Sequence, residues 1–231
     1  MNYVILVLAV LLAPLLPILA PLLFFWARAR HNKVPTLAGQ SGGEVAQAIM
    51  AANGLTEVKL GKATPLTGDH FDPTKNEVNL LPGNAEGRTV YAVAVAAHEV
   101  GHALQKRDGY RWFTLWLKCA PWVAIASFLF QCFGFFYALK YPVLLFLAIG
   151  IWAVHFLFAV LTLPVEYDAS RRGLAELDRL GLLKTPEERS AARTVLIAAG
   201  LTYVAYAVMS LFVVVGLTLF ALFSRKSDDR A

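Results

Sequence analysis

The stretch Val90-Tyr91-Ala92-Val93-Ala94-Val95-Ala96-Ala97-His98-Glu99-Val100-Gly101-His102 decides how this chain is read. It has no proline, carries glycine only at Gly101, and is rich in alanine, so it predicts a helix. On a helix, residues i and i+4 stand above one another on the same face. His98 and His102 then offer two imidazole nitrogens to one metal ion. Glu99, one residue past the first histidine, reaches a metal-bound water without ligating the metal itself. That is the arrangement of a zinc hydrolase. The competing reading is an inert helix with two surface histidines salt-linked to a carboxylate. The small apolar flanks argue for a buried helix instead. Gly101 is expected to leave open space beside the metal face, at a cost of about 1 kcal/mol relative to alanine.

Outward from this helix the chain turns apolar. A composition of 58% hydrophobic and 16% charged residues exceeds that of an ordinary soluble domain. Four segments reach the roughly 20 apolar residues that a bilayer crossing needs: residues 3–26, 119–139, 142–163 and 200–223. The first lacks basic residues before its long apolar run and is followed at once by Arg28, Arg30 and Lys33, which favours an uncleaved anchor over a signal peptide. Pro14, Pro17 and Pro21 predict a kink in it. Residues 112–118, with Trp112, Trp116 and Lys118, read as interfacial. Most basic residues fall in 27–111 and 164–199. The positive-inside rule therefore puts both segments in the cytoplasm and the active site at the cytoplasmic face of a multi-pass cell (inner) membrane protein. The basic tail, with Arg225, Lys226 and Arg230, would then lie outside, against the same rule. These flanks account for the net charge of +5, and no basic stripe interleaved with aromatics calls for nucleic acid. Cys119 and Cys132 sit 13 residues apart in one span, beyond the ~7 Å a disulfide allows between Cα atoms, and read as small core residues.

The remainder is a small α+β part. Ser41 to Asn53 reads as a capped helix closed by Gly54, and residues 56–60 and 77–81 alternate like short strands. Residues 67–74 between them carry turn chemistry, and the motif helix is expected from about Arg88. A strand edge beside a zinc helix offers a seat for an extended peptide; a hairpin that merely covers the helix is the plainer reading. Residues 166–180 predict a helix closed by Gly181, and Thr185-Pro186-Glu187-Glu188 starts another that continues into the fourth span. No internal repeat or low-complexity linker appears, so the expectation is one membrane-embedded domain over residues 1–231.

A catalytic zinc takes three protein ligands and keeps one position open. No histidine follows within residues 103–111, which excludes the extended motif with a third downstream His. His155 is expected mid-span, His31 reads as part of the basic flank, and His70 is conceivable as a ligand or an oxyanion donor. Glu166 is the better third ligand. The motif helix ends just before one span leaves the cytoplasm, and Glu166 comes just after the next returns. Asp168 is the alternative ligand; otherwise both acids simply pair with Arg171 and Arg172.

The runs 96–105 (Ala-Ala-His-Glu-Val-Gly-His-Ala-Leu-Gln), 69–73 (Asp-His-Phe-Asp-Pro) and 164–172 (Pro-Val-Glu-Tyr-Asp-Ala-Ser-Arg-Arg) resemble the neutral zinc metallopeptidases of the bacterial YugP-like membrane protease family. The layout is also similar to the HtpX/Ste24 group of membrane gluzincins, in which a transmembrane hairpin separates the zinc helix from the third-ligand glutamate. The resemblance implies His98, His102 and Glu166 as zinc ligands and Glu99 as base. Gluzincins often carry an aspartate four residues after the ligand glutamate. Here Ser170 holds that position and the acid is Asp168, which a helix would point away from the metal.

The expectation is therefore a mainly α membrane protein with about four transmembrane helices and a small zincin-like α+β part. It would hydrolyse peptide bonds of protein substrates, membrane-associated by position, through a zinc-bound water activated by Glu99. Tyr167, Arg171, Arg172, Tyr203 and His70 are open as oxyanion partners. A catalytically silent, zinc-stabilised membrane scaffold or chaperone-like partner is the alternative. A transporter, resting on His155 and Lys118, is a third and poorer one.

Overall fold

The structure is a computed structural model, and it describes residues 15–133 and 142–228. The chain divides into two compact units: one from Met1–Ala20, Leu115–Leu163 and Thr202–Ala231, the other from Pro21–Thr114 and Pro164–Leu201.

The second unit is built around the motif helix. Helix α1 spans Leu16–His31 and contains Pro21; α2 spans Gly42–Ala52. Ser41 and Glu44 form a full capping box at the start of α2, which is why a helix with two leading glycines forms there. Gly54, at φ +66°, follows its last turn as expected. Strands β1 (Lys59–Lys62), β2 (His70–Asp72) and β3 (Glu77–Leu80) make one sheet in the order β1-β3-β2, with β1 parallel and β2 antiparallel to β3. The strands read at 56–60 and 77–81 are thus present with shifted ends. Strand β2 lies inside the segment read as a turn. The Asp69 carboxylate makes the difference: it accepts from Leu81 N at 2.7 Å and Asn84 Nδ2 at 2.7 Å, tying the entry to β2 to the far end of β3.

Short helix α3 (Pro82–Ala85) leads into α4 (Val90–Arg107). Thr89 caps α4 by accepting from Ala92 N, so the helix begins two residues after the expected Arg88. Helix α4 packs on α2, α3, β2 and β3, and Val90, Val93, Ala96, Ala97 and Val100 are fully or nearly fully buried. An Ala-rich helix suits this place because it lets neighbours approach closely on every side.

Helix α5 covers Arg111–Phe133, α6 covers Pro142–Arg179 and α7 covers Pro186–Asp228. Pro164 is accommodated inside α6, so the expected helix at 166–180 is the end of a longer one, closed by Gly181 at φ +61°. Helix α7 runs unbroken from its Thr185 cap into the fourth expected span. Among the described residues, two helices, Leu144–Arg179 and Pro186–Ala221, are long and apolar enough to cross a membrane. The structure thus supports two crossing helices where four were expected. Half of the first expected span, residues 3–14 with Pro14, and the end of the second, residues 134–139, lie outside the described residues. In the first unit, Trp116 Nε1 donates to Thr162 Oγ1 at 3.1 Å and Cys119 is a free thiol.

Candidate metal centre

Two helices carry the site. On α4, Ala97 and Gly101 are one turn apart; on α6, Ala169 and Gly173 repeat the same spacing. A Cβ built on Gly101 would collide with the Ala169 carbonyl oxygen, and one on Gly173 would stand 2.6 Å from the Ala97 oxygen. The helices therefore cross backbone to backbone, each glycine beneath the other helix's alanine. Gly101 does not open space beside a metal, as expected from the sequence. It admits α6.

That crossing brings the expected ligands together. Glu166 Oε2 lies 3.2 Å from His98 Nε2 and 3.8 Å from His102 Nε2. One ligand atom from each of the three residues lies within 4.8 Å of the others. A tetrahedral ion with 2.0–2.1 Å bonds holds its ligands about 3.3–3.4 Å apart, so the 3.2 Å pair already fits, and the wider separations, up to 4.8 Å, would contract around a zinc ion held by two imidazole nitrogens and a carboxylate oxygen. The two rings stand nearly perpendicular, at 84°, and each turns its Nε2 inward. His98 Nδ1 is 3.0 Å from Ser170 Oγ and His102 Nδ1 is 3.0 Å from Gln105 Oε1. Each outward nitrogen is engaged, and each Nε2 faces Glu166.

Burial sets the electrostatics. It pushes the Glu99 carboxyl up to about 7, against the opposing pull of His98, and it drives the His102 imidazole down to about 4. Burial also works against charge on His98, but the adjacent Glu166 and Glu99 carboxylates outweigh it and hold its pKa above the ordinary value. Glu99 is 7% exposed and sits where a proton can be held close to neutral pH.

Gln105, which the sequence reading left aside, and Ser170, whose role it left open, complete the surroundings. Gln105 is fully buried; it faces His102 with its oxygen and donates from Nε2 to Val165 O at 2.7 Å and Asp168 Oδ2 at 3.1 Å. Ser170, in the position where an aspartate was awaited, meets His98. Helical register could have found both, because Gln105 is three residues past His102 and Ser170 four past Glu166. Asp168 is not in the ligand cluster: its oxygens accept from Arg171, Arg172 and Gln105. Tyr167 is 73% exposed. His70 lies on β2 with Nδ1 bound to Gly68 O and stays outside the cluster, as do His31 at the end of α1 and His155, which engages Ser127 of α5 and Ile151 O of α6.

Comparisons with known proteins identify the family. Residues 3–222 match the family described as "Putative neutral zinc metallopeptidase". The chain is 36% identical over 201 residues to the "Putative membrane protease YugP" of Bacillus subtilis (strain 168), covering 82% of this chain and 88% of the relative. No solved structure matches it. With its family matched over nearly its whole length, the chain belongs to the neutral zinc metallopeptidases and takes Zn2+ as its cofactor.

Proposed function

We propose that this protein is a membrane-integrated zinc endopeptidase of the HExxH gluzincin type, with His98, His102 and Glu166 as ligands, Glu99 as base and its active site at the cytoplasmic face. The observation that carries the reading is the convergence of two imidazoles and one carboxylate within 4.8 Å beside a buried glutamate. When bound, zinc supplies a Lewis acid that lowers the pKa of water at its open position to about 7. Glu99 accepts the proton of the attacking water and passes it to the amine that leaves, so the peptide bond breaks without net change in the enzyme. Strand β2 is an edge of the sheet and packs on α4, which favours a substrate laid along it as an added extended strand. A scaffold with structural zinc would want a closed fourth position, and among the described residues no fourth His, Cys, Asp or Glu joins the three. The cytoplasmic face rests on the basic flanks at 27–111 and 164–199.

The test is cleavage of casein or of the chain itself by detergent-purified protein, wild type beside Glu99→Gln and Glu166→Gln, with zinc measured in each. Glu99→Gln should keep its zinc and lose activity by about 10²–10⁴-fold, the usual weight of a general base. Glu166→Gln should lose both. Zinc retained at wild-type level in Glu166→Gln would remove Glu166 from the ligand set. Full activity of Glu99→Gln would end the proposed mechanism.

A further inference from the structure

Along α4, from Val90 to Gln105, only Val95, His98 and His102 escape burial. At about 3.6 residues per turn these three form one stripe, the open face of the site. Ala97 and Gly101 lie to one side of it and meet α6, while Glu99 and Lys106 lie to the other. Strand β2 takes that other side. Lys106 Nζ donates to Pro73 O just past the end of the strand, and Asp69 and His70 at its start both act electrostatically on the Glu99 carboxyl. Strands β3 and β1 lie behind β2, where Leu60 of β1 stands beside Gly43 of α2. The free edge of β2 therefore turns to the stripe.

What that edge offers follows from the register. The carbonyls of Asn76 and Leu80 accept from Lys59 N at 2.8 Å and Ala63 N at 2.9 Å, so the even-numbered residues of β3 face β1. Backbone groups alternate along a strand, so Glu77 and Asn79 face β2 and pair there with Asp72 and His70. The Leu81 N–H keeps to the same alternation and meets the Asp69 carboxylate. Phe71, between the two bonded pairs, then turns both its N–H and its C=O away from the sheet. It is the one residue of β2 to do so. At one end, Asp69 sits in a bend with its N–H turned to its own carboxylate. At the other, Pro73 has no N–H and its oxygen is held by Lys106.

We propose that Phe71 is the single backbone anchor of the substrate strand, a specificity element that rests on the peptidase reading above. An extended peptide donates one N–H to Phe71 O and accepts the Phe71 N–H, so both bonds are made at one place in its length. Pro73 and Lys106 end the pairing, and the peptide leaves the sheet just past that point. Pro73 follows Phe71 by two residues, about 7 Å, and Lys106 follows His102 by four, about 6 Å, which sets the anchor abreast of His102. The selective position is therefore close to the bond that is cut. A proline there is refused because it lacks the N–H. Because backbone groups carry the contact, it selects an extended segment rather than a particular side chain.

The experiment starts from a peptide spanning a site that the detergent-purified wild type cuts in casein. Each of its N–H groups except the scissile one is replaced in turn by an ester oxygen. The kcat/KM should fall by about 3–10-fold at one position within about two residues of the cut, the weight of one neutral hydrogen bond, and hardly at all elsewhere. In hydrogen exchange on the zinc-loaded Glu99→Gln protein, the unaltered peptide should protect one further amide within residues 70–73, that of Phe71. Lys106→Met releases the Pro73 oxygen, so a second sensitive position should appear two residues further along the peptide, with retained zinc as the check on folding. Even losses across the scan, or binding without added protection at Phe71, overturn the proposal. A scan unchanged in Lys106→Met overturns the stop assigned to that lysine. A wild type that cuts no casein fails the peptidase reading itself and the anchor with it, whereas a cut peptide with no sensitive position defeats the anchor alone.

Discussion

Gln105 ties three groups together: the His102 ring, the Val165 carbonyl beside Glu166, and the Asp168 carboxylate. One amide thus fixes both a proposed ligand on α4 and the backbone next to a proposed ligand on α6. Gln105→Ala should lower zinc affinity by about 10–100-fold, the cost typical of a lost partner to a ligand, while the helices stay folded. Competition with a chelating dye, alongside circular dichroism, measures this; unchanged affinity would leave Gln105 as mere filling. The charges at the site also set a pH dependence. His98 holds its proton above its ordinary pKa in the metal-free protein, whereas His102 gives its proton up at about 4. Zinc therefore displaces one proton, from His98, at mildly acidic pH. As pH falls from the titration of His98 towards that of His102, log Kd should rise by about one per pH unit. A slope of two would mean that a second group, His102 or Glu99, gives up its proton as well, and a flat profile that His98 carries no proton for zinc to displace.

At the scale of elements, the crossing of α4 and α6 does the positioning. Gly173→Ala puts a methyl group against the Ala97 backbone, which cannot yield as a flexible side chain would. The helices must separate, at roughly 1–3 kcal/mol for overpacking, and zinc binding should fall with them. Gly200→Ala on α7, where a Cβ meets nothing within 4 Å, is the control and should retain wild-type zinc. Thermal unfolding with zinc titration separates the two; equal behaviour would deny the crossing its role. How far these elements could be read beforehand varies with their physics. The α4 helix, the capping box of α2 and the stops at Gly54 and Gly181 are local signals, and they appear as expected. Strand β2 was hidden because three residues exist as a strand only through β3 and the Asp69 tether. The purpose of Gly101 was hidden for the same reason, since its neighbour Ala169 is remote in sequence. Glu166 was favoured over His70 and Asp168 because the hairpin returns it to the motif helix, and it is the acid that lies beside both histidines.

For the whole molecule, the proposed topology places the soluble face and the basic flanks on one side. The turn at Thr64–Gly68 carries Leu66 at 98% exposure, an obvious point of entry for an external protease. In sealed inverted vesicles added protease should cut there, and in right-side-out vesicles it should not. The reverse pattern would turn the proposed orientation over.

The division of the three converging side chains between α4 and α6 also has a consequence in time. The ribosome makes His98, Glu99 and His102 first, then a long apolar stretch, and only afterwards Glu166. At ~5–20 residues per second the interval lasts several seconds. Throughout it the nascent chain carries a proton acceptor and two donor nitrogens, but not the carboxylate that completes the set. On the proposed ligand set, a chain aborted before α6 is therefore inert, and the hydrolytic centre, hazardous to neighbouring proteins, is assembled only once Glu166 has followed the motif helix out of the ribosome.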